Sequence, residues 1–155
     1  MKIDIQERKN MHQKKMKMSL IMTIIFAVLT LTSVICFIIF ANYKIQLLMS
    51  IIGSIVSSIF AIVTLGFLFI GYLPNKYLLN FYSELENKED QSLTGCFKNT
   101  NRFLTLKKGL SFLVVYVDGQ EYYLVDETML NGLKDDEKYQ FVLKGNYVAG
   151  VAQYE

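Results

Sequence analysis

Few residues in this chain of 155 are of types that do chemistry, and they stand far apart. The single histidine, His12, falls in the basic stretch ERKNMHQKKMKM, where it is expected to be exposed and to act neither as a metal ligand nor as a catalytic base. A serine or cysteine nucleophile needs a base within hydrogen-bond reach, so one histidine near the N-terminus leaves the rest of the chain without a pair. Cys36 and Cys96 have no pairing pattern and read as reduced thiols. There is no CxxC, HxxxH, GxGxxG or GKS/GKT motif. Asp135, Asp136 and Glu137 are consecutive carboxylates on a turn, which reads as a solvated loop, and Asp118 belongs to a tight turn for backbone reasons. The expectation is therefore no catalytic residue, no metal, no cofactor and no enzyme. One group retains a chemical use. Lys98, Arg102, Lys107 and Lys108 fall on the first two loops of the C-terminal part, where they could meet an anionic ligand, lipid headgroups or an acidic partner. The alternative is an ordinary charged loop.

The elements that must position these residues follow from composition. The chain is 52% hydrophobic and 19% charged, with a mean hydropathy of +0.29, too apolar for an ordinary small soluble domain. The apolar residues are concentrated in residues 19–73, between a leader at 1–18 and a stretch of soluble composition. The leader sets six Lys/Arg against Asp4 and Glu7. Residues 92–155 set seven Lys/Arg against eight Asp/Glu, so the soluble part lacks the positive footprint of a DNA or RNA binder.

The run SLIMTIIFAVLTLTSVICFIIF, residues 19–40, would extend about 33 Å as a helix, enough for a hydrocarbon core of roughly 30 Å. The run at 45–73 is also uncharged and long enough to span with tilt. Two transmembrane helices, about 19–41 and 45–73, are predicted, joined through FANYKIQ by a connector too short for anything but an antiparallel hairpin. A buried core helix pair does not need such length without charge. A cleaved signal peptide would need a shorter apolar stretch and a small residue where Ile39 stands. Lys44 alone lies in the connector while six basic residues precede the first run, so both termini are expected in the cytoplasm, at the cell (inner) membrane.

Small residues recur on the second run at helical spacing: Ser50, Gly53, Ser54, Ser57, Ser58 and Ala61. Such stripes let helix backbones approach in lipid, either within the hairpin or between copies. No ionisable side chain that could relay protons or sense voltage lies within either span. Arg8, Lys9, Lys14, Lys15 and Lys17 could rest on the anionic leaflet or serve only as a topology signal. Pro74 is expected to end the second run. Residues 74–91 then read as an amphipathic juxtamembrane helix and linker, with Tyr77, Leu78, Phe81, Tyr82 and Leu85 on one face, toward the membrane or the following domain.

From residue 92 the period becomes that of strands. Hairpin signals stand at Asp118-Gly119, at Gly145-Asn146 and at Gly109. The stretch GCFKNTNRFLTL is one bent strand or two, and a helical turn is expected at 129–133. The fold class predicted is membrane α plus β: a two-helix hairpin followed by a small cytosolic antiparallel β-barrel of five or six strands, OB-like or SH3-like. Phe103, Phe112, Tyr123, Tyr139 and Phe141 are expected in its core, with a stacking platform for bases as the lesser alternative. Gly150 and Ala152 are expected opposite Phe141 and Tyr139.

Two membrane helices, one carrying GSIVSSIFA, ahead of a small barrel resemble two known designs in architecture, with no shared motif. One is the NfeD-like group, in which a small OB barrel follows membrane helices and serves as a scaffold or partner module. The other is an antiphage effector class whose eight-stranded barrel senses a cyclic nucleotide and whose two helices assemble to breach the inner membrane. No ligand residue of that class carries over, and the barrel here is expected to be smaller. The function expected is a membrane-anchored binding or scaffold module that presents its barrel to a protein partner. The alternative is a nucleotide-gated effector that oligomerises in the membrane, and a third reading is an accessory subunit of a larger complex. The partners expected are the lipid bilayer and a protein partner or second copy, with a cyclic nucleotide under the alternative and no nucleic acid.

Overall fold

The structure, a computed structural model, describes residues 2–40, 46–105 and 110–154. The hairpin connector at 41–45 and the Gly109 loop at 106–109 lie outside the described residues. The chain divides into two units, one of residues 10–79 and one that joins residues 1–9 to 80–155.

Helix α1 (Ile5–Phe40) starts far upstream of the apolar run, inside the basic leader. The leader is rich in Gln, Glu, Arg, Lys and Met, all good helix formers. Asp4 begins the helix as its N-cap: its carboxylate accepts the Glu7 amide at 3.0 Å. Helix α2 (Gln46–Gly66) is followed by a π-helical stretch (Phe67–Tyr72) and then by α3 (Leu73–Glu86). Pro74 therefore does not end the second run. Proline has no amide to donate and crowds the carbonyl four residues back, and the wider π winding gives it room, with the Leu73 amide reaching Leu68. Two side chains supply further donors. Ser19 Oγ donates to the Phe67 carbonyl at 2.6 Å, and Asn75 Nδ2 donates to that of Gly71, also at 2.6 Å. A side chain at Gly71 would collide with the Ser19 hydroxyl.

Both helices are long and apolar enough to cross a membrane, and almost no residue of either apolar window is buried. Ile24, Ile35, Ile55 and Ile62 are among the exposed aliphatics. The contacts between α1 and α2 use small residues. Gly53 is buried, and a Cβ there would come within 2.6 Å of the Phe37 ring.

The other unit is a closed barrel of five strands: β1 (Gln91–Thr105), β2 (Ser111–Val117), β3 (Gln120–Leu124), β4 (Lys138–Lys144) and β5 (Tyr147–Gln153). Their order around the barrel is β1-β2-β3-β5-β4, closing back on β1. The expectation of an all-antiparallel barrel is corrected here, because β3 and β5 run parallel. Directions cannot alternate all the way round an odd ring, so one pair must be parallel.

Strand β1 is single and bent. It pairs with β4 over Gln91–Cys96 and with β2 beyond, and the register slips between Asn99 and Arg102. Asn101 takes a φ of 51° there, and the Thr100 hydroxyl donates to the Val114 carbonyl. The β2–β3 turn has φ 49° at Asp118 and 79° at Gly119, a type I′ turn. Gly145, at φ 62°, opens the β4–β5 turn. The helical turn between β3 and β4 is a 3₁₀ turn over Glu127–Leu130, slightly earlier than predicted.

A bulge shifts the last hairpin. Beyond Val142, paired with Gly150, Phe141 faces Val151 and Tyr139 faces Gln153, so the expected pairing with Gly150 and Ala152 is off by one residue. The extra residue is Ala149: Leu143 pairs with Val148 but Val142 with Gly150. Inside the barrel, Phe97, Phe141, Leu143, Val115, Val117 and Val148 pack together. Phe112 is also buried, yet on the outer wall, where the Phe81 ring lies 4.8 Å from it and 5.1 Å from Tyr147. Tyr82 and Leu85 are buried on the same helix. The amphipathic face of α3 thus turns Phe81 to the barrel. Tyr123 is half-buried, 5.7 Å from Tyr147. Phe103 is not core: it is 54% exposed, because it follows the register slip in β1.

Candidate functional site

Within the barrel unit, the most developed constellation is where the N-terminal residues seat against the strands. The Ile3 amide donates to the Ala149 carbonyl at 3.0 Å, and Lys2 forms an antiparallel bridge with Gly150. The Ile3 side chain joins the barrel core. Alternation explains the seat: with Lys2 and Asp4 exposed, Ile3 points the other way.

Charged groups hold the segment on either side. Lys2 Nζ meets one Asp90 oxygen at 2.6 Å and Lys144 Nζ meets the other at 2.9 Å. Lys144, buried at the end of β4, also donates to the Lys88 carbonyl at 2.7 Å. Hydrogen bonds from Lys2 and then Lys144 hold the Asp90 carboxyl below the ordinary aspartate value. Arg8 pairs with Asp126, and Lys9 with Glu86. Asp126 has a second task as the cap of the 3₁₀ turn, since its other oxygen accepts from the Thr128 amide at 2.9 Å and hydroxyl at 2.7 Å. Burial acts to raise the Asp126 pKa, and the Thr128 and Arg8 donors outweigh it, so the group lies below its ordinary value.

A shallow hollow of about 440 Å³ lies at the middle of β1, lined by Cys96, Phe97, Lys98, Tyr116, Asp118 and Asp136. Backbone demands place the acids there. Asp118 accepts the Cys96 amide at 2.8 Å, and Asp135 accepts the Asn99 amide at 2.8 Å. The loop at 134–137 is further pinned by the Tyr139 hydroxyl, which donates to Glu137 and accepts from the Lys134 amide. The carboxylate run is thus partly engaged with backbone instead of merely solvated. An anion entering this hollow would meet one ammonium group, that of Lys98, and two carboxylates.

The basic cluster read from the sequence is not gathered among the described residues. Lys98 lines the hollow, Arg102 lies beyond the bend with its guanidinium 3.7 Å from Glu121, and Lys107 and Lys108 fall outside the described residues. Of the leader cations, Arg8 and Lys9 are taken up by carboxylates of the barrel unit, while Lys14, Lys15 and Lys17 are exposed. His12 is buried and not exposed as expected. Its Nδ1 lies 2.8 Å from Asn75 Oδ1, which fixes the ring against α3.

In the helical unit, Gly53 and Ser57 face α1, with the Ser57 and Ser33 hydroxyls 2.9 Å apart. Ser50, Ser54 and Ser58 are exposed and line the open side of a groove of about 520 Å³ beside Val34, Phe37 and Gln46; Ala61 is half-buried further along. Cys36 and Cys96 are both free thiols.

The seat of residues 2–9 was not legible from charge alone. Its signal was the alternation of Ile3 and Ile5 with polar residues, together with Asp4-x-x-Glu7. No family model, curated protein or solved structure matches this chain.

Proposed function

We propose that the chain is a membrane-anchored binding module, a two-pass hairpin that presents an OB-like barrel to a protein partner at the inner leaflet, with both termini in the cytoplasm. The observation that carries this is the exposure of aliphatic side chains along both long helices, which in water would be an unsupported apolar surface. Lipid is the environment that accepts it. The OB-like form is supported by the strand order and by the single helical turn between β3 and β4. The six leader cations favour the cytoplasmic placement of both ends.

The topology is tested by labelling an Asn42→Cys variant, in a background with Cys36 and Cys96 replaced by Ser, with an impermeant maleimide on intact cells. Labelling from outside is expected, and labelling only after lysis overturns the orientation. Recruitment is tested by affinity purification from native membranes. A specific protein should co-purify with the full chain and be lost when residues 92–155 are deleted, and recovery of none removes the reading.

A second reading, the nucleotide-gated assembling effector, draws on α2, whose exposed Ser50, Ser54 and Ser58 offer a small-residue face to a second copy. It predicts higher thermal stability of the full chain with a cyclic oligonucleotide. No shift across a panel of such nucleotides removes it. Asp118 and Asp136 weigh against the hollow on β1 as the seat of such an anion.

A further inference from the structure

We propose that Asn131 is a modification site of the barrel: its carboxamide cyclises onto the Gly132 amide, loses ammonia, and is hydrolysed to aspartate and isoaspartate. The reaction needs only water and is independent of what the barrel recruits.

The turn that leaves the 3₁₀ segment makes this position unlike the other asparagines. Asn131 has φ −63° and ψ 112°, Gly132 has φ 92°, and the Leu133 amide donates to the Leu130 carbonyl at 3.0 Å. That is the pattern of a type II turn, whose third residue needs the positive φ that glycine adopts without strain. Asparagine is a thermolabile residue type, and Asn131 is the one asparagine in the chain that precedes a glycine. At every other, the following side chain crowds the approach to its amide nitrogen. Asn131 and Gly132 are both exposed. Among the described residues, nothing hydrogen-bonds the Asn131 carboxamide or the Gly132 amide. Asn75 and Asn99 are held by contrast. The Asn75 side chain lies between His12 and the Gly71 carbonyl, and Asn99 Oδ1 accepts the Asn101 amide at 2.9 Å.

With ψ extended at Asn131, the Gly132 nitrogen is turned away from the side chain. Attack therefore needs the peptide between them to rotate, ψ of Asn131 and φ of Gly132 changing in opposite senses while the flanking chain stays in place. Glycine allows this because it takes φ of either sign, and no atom lies within 4 Å of where a Gly132 Cβ would stand. The Gly132 nitrogen then gives its proton to hydroxide and bonds to Asn131 Cγ. The bond from Cγ to Nδ2 breaks, and ammonia leaves with a proton from water. Water adds to either carbonyl carbon of the five-membered imide, and that carbon's bond to the ring nitrogen breaks. Opening at Cγ gives aspartate. Opening at the backbone carbon gives isoaspartate, which adds a methylene to the main chain. The added length falls between Leu130 and Leu133, which pack against the core, and just after Met129, which is buried in it. Conversion should thus loosen the turn that seats these three side chains.

The test ages the full-length protein in detergent micelles, in mildly alkaline buffer, beside a synthetic peptide of residues 128–134, TMLNGLK. Mass spectrometry of protease digests follows the mass gained when the carboxamide becomes a carboxyl. Isoaspartate is confirmed by methylation with an isoaspartyl methyltransferase. Asn131 is expected to convert about tenfold or more faster than any other asparagine, because only its neighbour lacks a side chain. Its rate in the protein should lie within about threefold of that in the peptide, since the exposed turn rotates without wider unfolding. Aged wild type should melt at a lower temperature than fresh protein. Asn131→Gln, whose longer side chain closes a six-membered ring only slowly, should keep its midpoint over the same interval. Conversion of the peptide with Asn131 intact in the protein overturns the inference, because the fold then protects the site. Faster conversion at another asparagine overturns it equally. An unchanged midpoint in fully converted protein refutes the effect on the core.

Discussion

Arg8, near the start of α1, pairs with Asp126, the residue that caps the 3₁₀ turn between β3 and β4. One carboxylate thus caps a turn of the barrel with one oxygen and holds the Arg8 guanidinium with the other. The two partners should respond unequally to truncation. Arg8→Ala removes a half-exposed cation and should cost about 0.5–1 kcal/mol. Asp126→Ala removes the cap as well and should cost about 1–2 kcal/mol. Urea titration of the full chain, followed by tyrosine fluorescence, reads both values. Equal losses would show that the cap contributes nothing.

Acid should weaken the same region. Asp126 and Asp90 both lie below the ordinary aspartate value of 3.8. A carboxyl with a depressed folded-state pKa contributes its full stabilisation above that ordinary value and loses it as pH falls through the lower folded one. Stability should therefore drop with acidification below about pH 4. The drop should be shallower in Asp126→Asn, and an unchanged pH profile in that variant would rule Asp126 out as a contributor.

The barrel interior should be intolerant of truncation. Phe141 is 1% exposed and packs with Phe97 at a ring distance of 6.4 Å. Phe141→Ala should cost about 3–5 kcal/mol. Phe103→Ala, at an exposed ring, should change stability by no more than about 0.5 kcal/mol. Comparison of the two midpoints in one denaturation series checks the assignment of core and surface.

At Gly53 the expected effect is steric. A Cβ there would meet the Phe37 ring at 2.6 Å. Gly53→Val should destabilise the helical unit by about 1–3 kcal/mol, the usual range for overpacking. Adding Phe37→Ala should recover part of that loss. Thermal unfolding in detergent, read by circular dichroism at the helical minimum, distinguishes rescue from simple addition of two defects.

Much of the architecture was legible because its signals are local. The uncharged runs mark the long helices, and Asp118-Gly119 and Gly145-Asn146 mark two hairpins that form at those residues. Several departures are cases in which a residue outside the local window decides. Pro74 sits within a helix whose preceding turn is wound as a π-helix, where the Ser19 hydroxyl from the other long helix reaches the Phe67 carbonyl, a contact that no window around Pro74 shows. The pairing of Phe141 with Val151 depends on a bulge at Ala149, for which the isolated Gly150 in VAGVAQ was the local sign. The parallel pair of β3 and β5 follows from strand number, which hairpin signals alone do not count. Lys98 and Arg102 looked like neighbours by sequence, but the bend in β1 separates their surroundings.

The bond from Ile3 to Ala149 also orders events during synthesis. At translation speeds of about 5–20 residues per second, the N-terminal segment exists for roughly 8–30 s before the last strand leaves the ribosome. Throughout that interval Ile3 has no seat, and α1 has long been available to whatever receives it. The barrel therefore closes late, around a segment made long before its last strand. A chain that lacks β5 would leave the Ile3 amide without its acceptor and Lys2 without its bridge, so the loss of the last strand is felt at residues nearly 150 positions earlier in the chain.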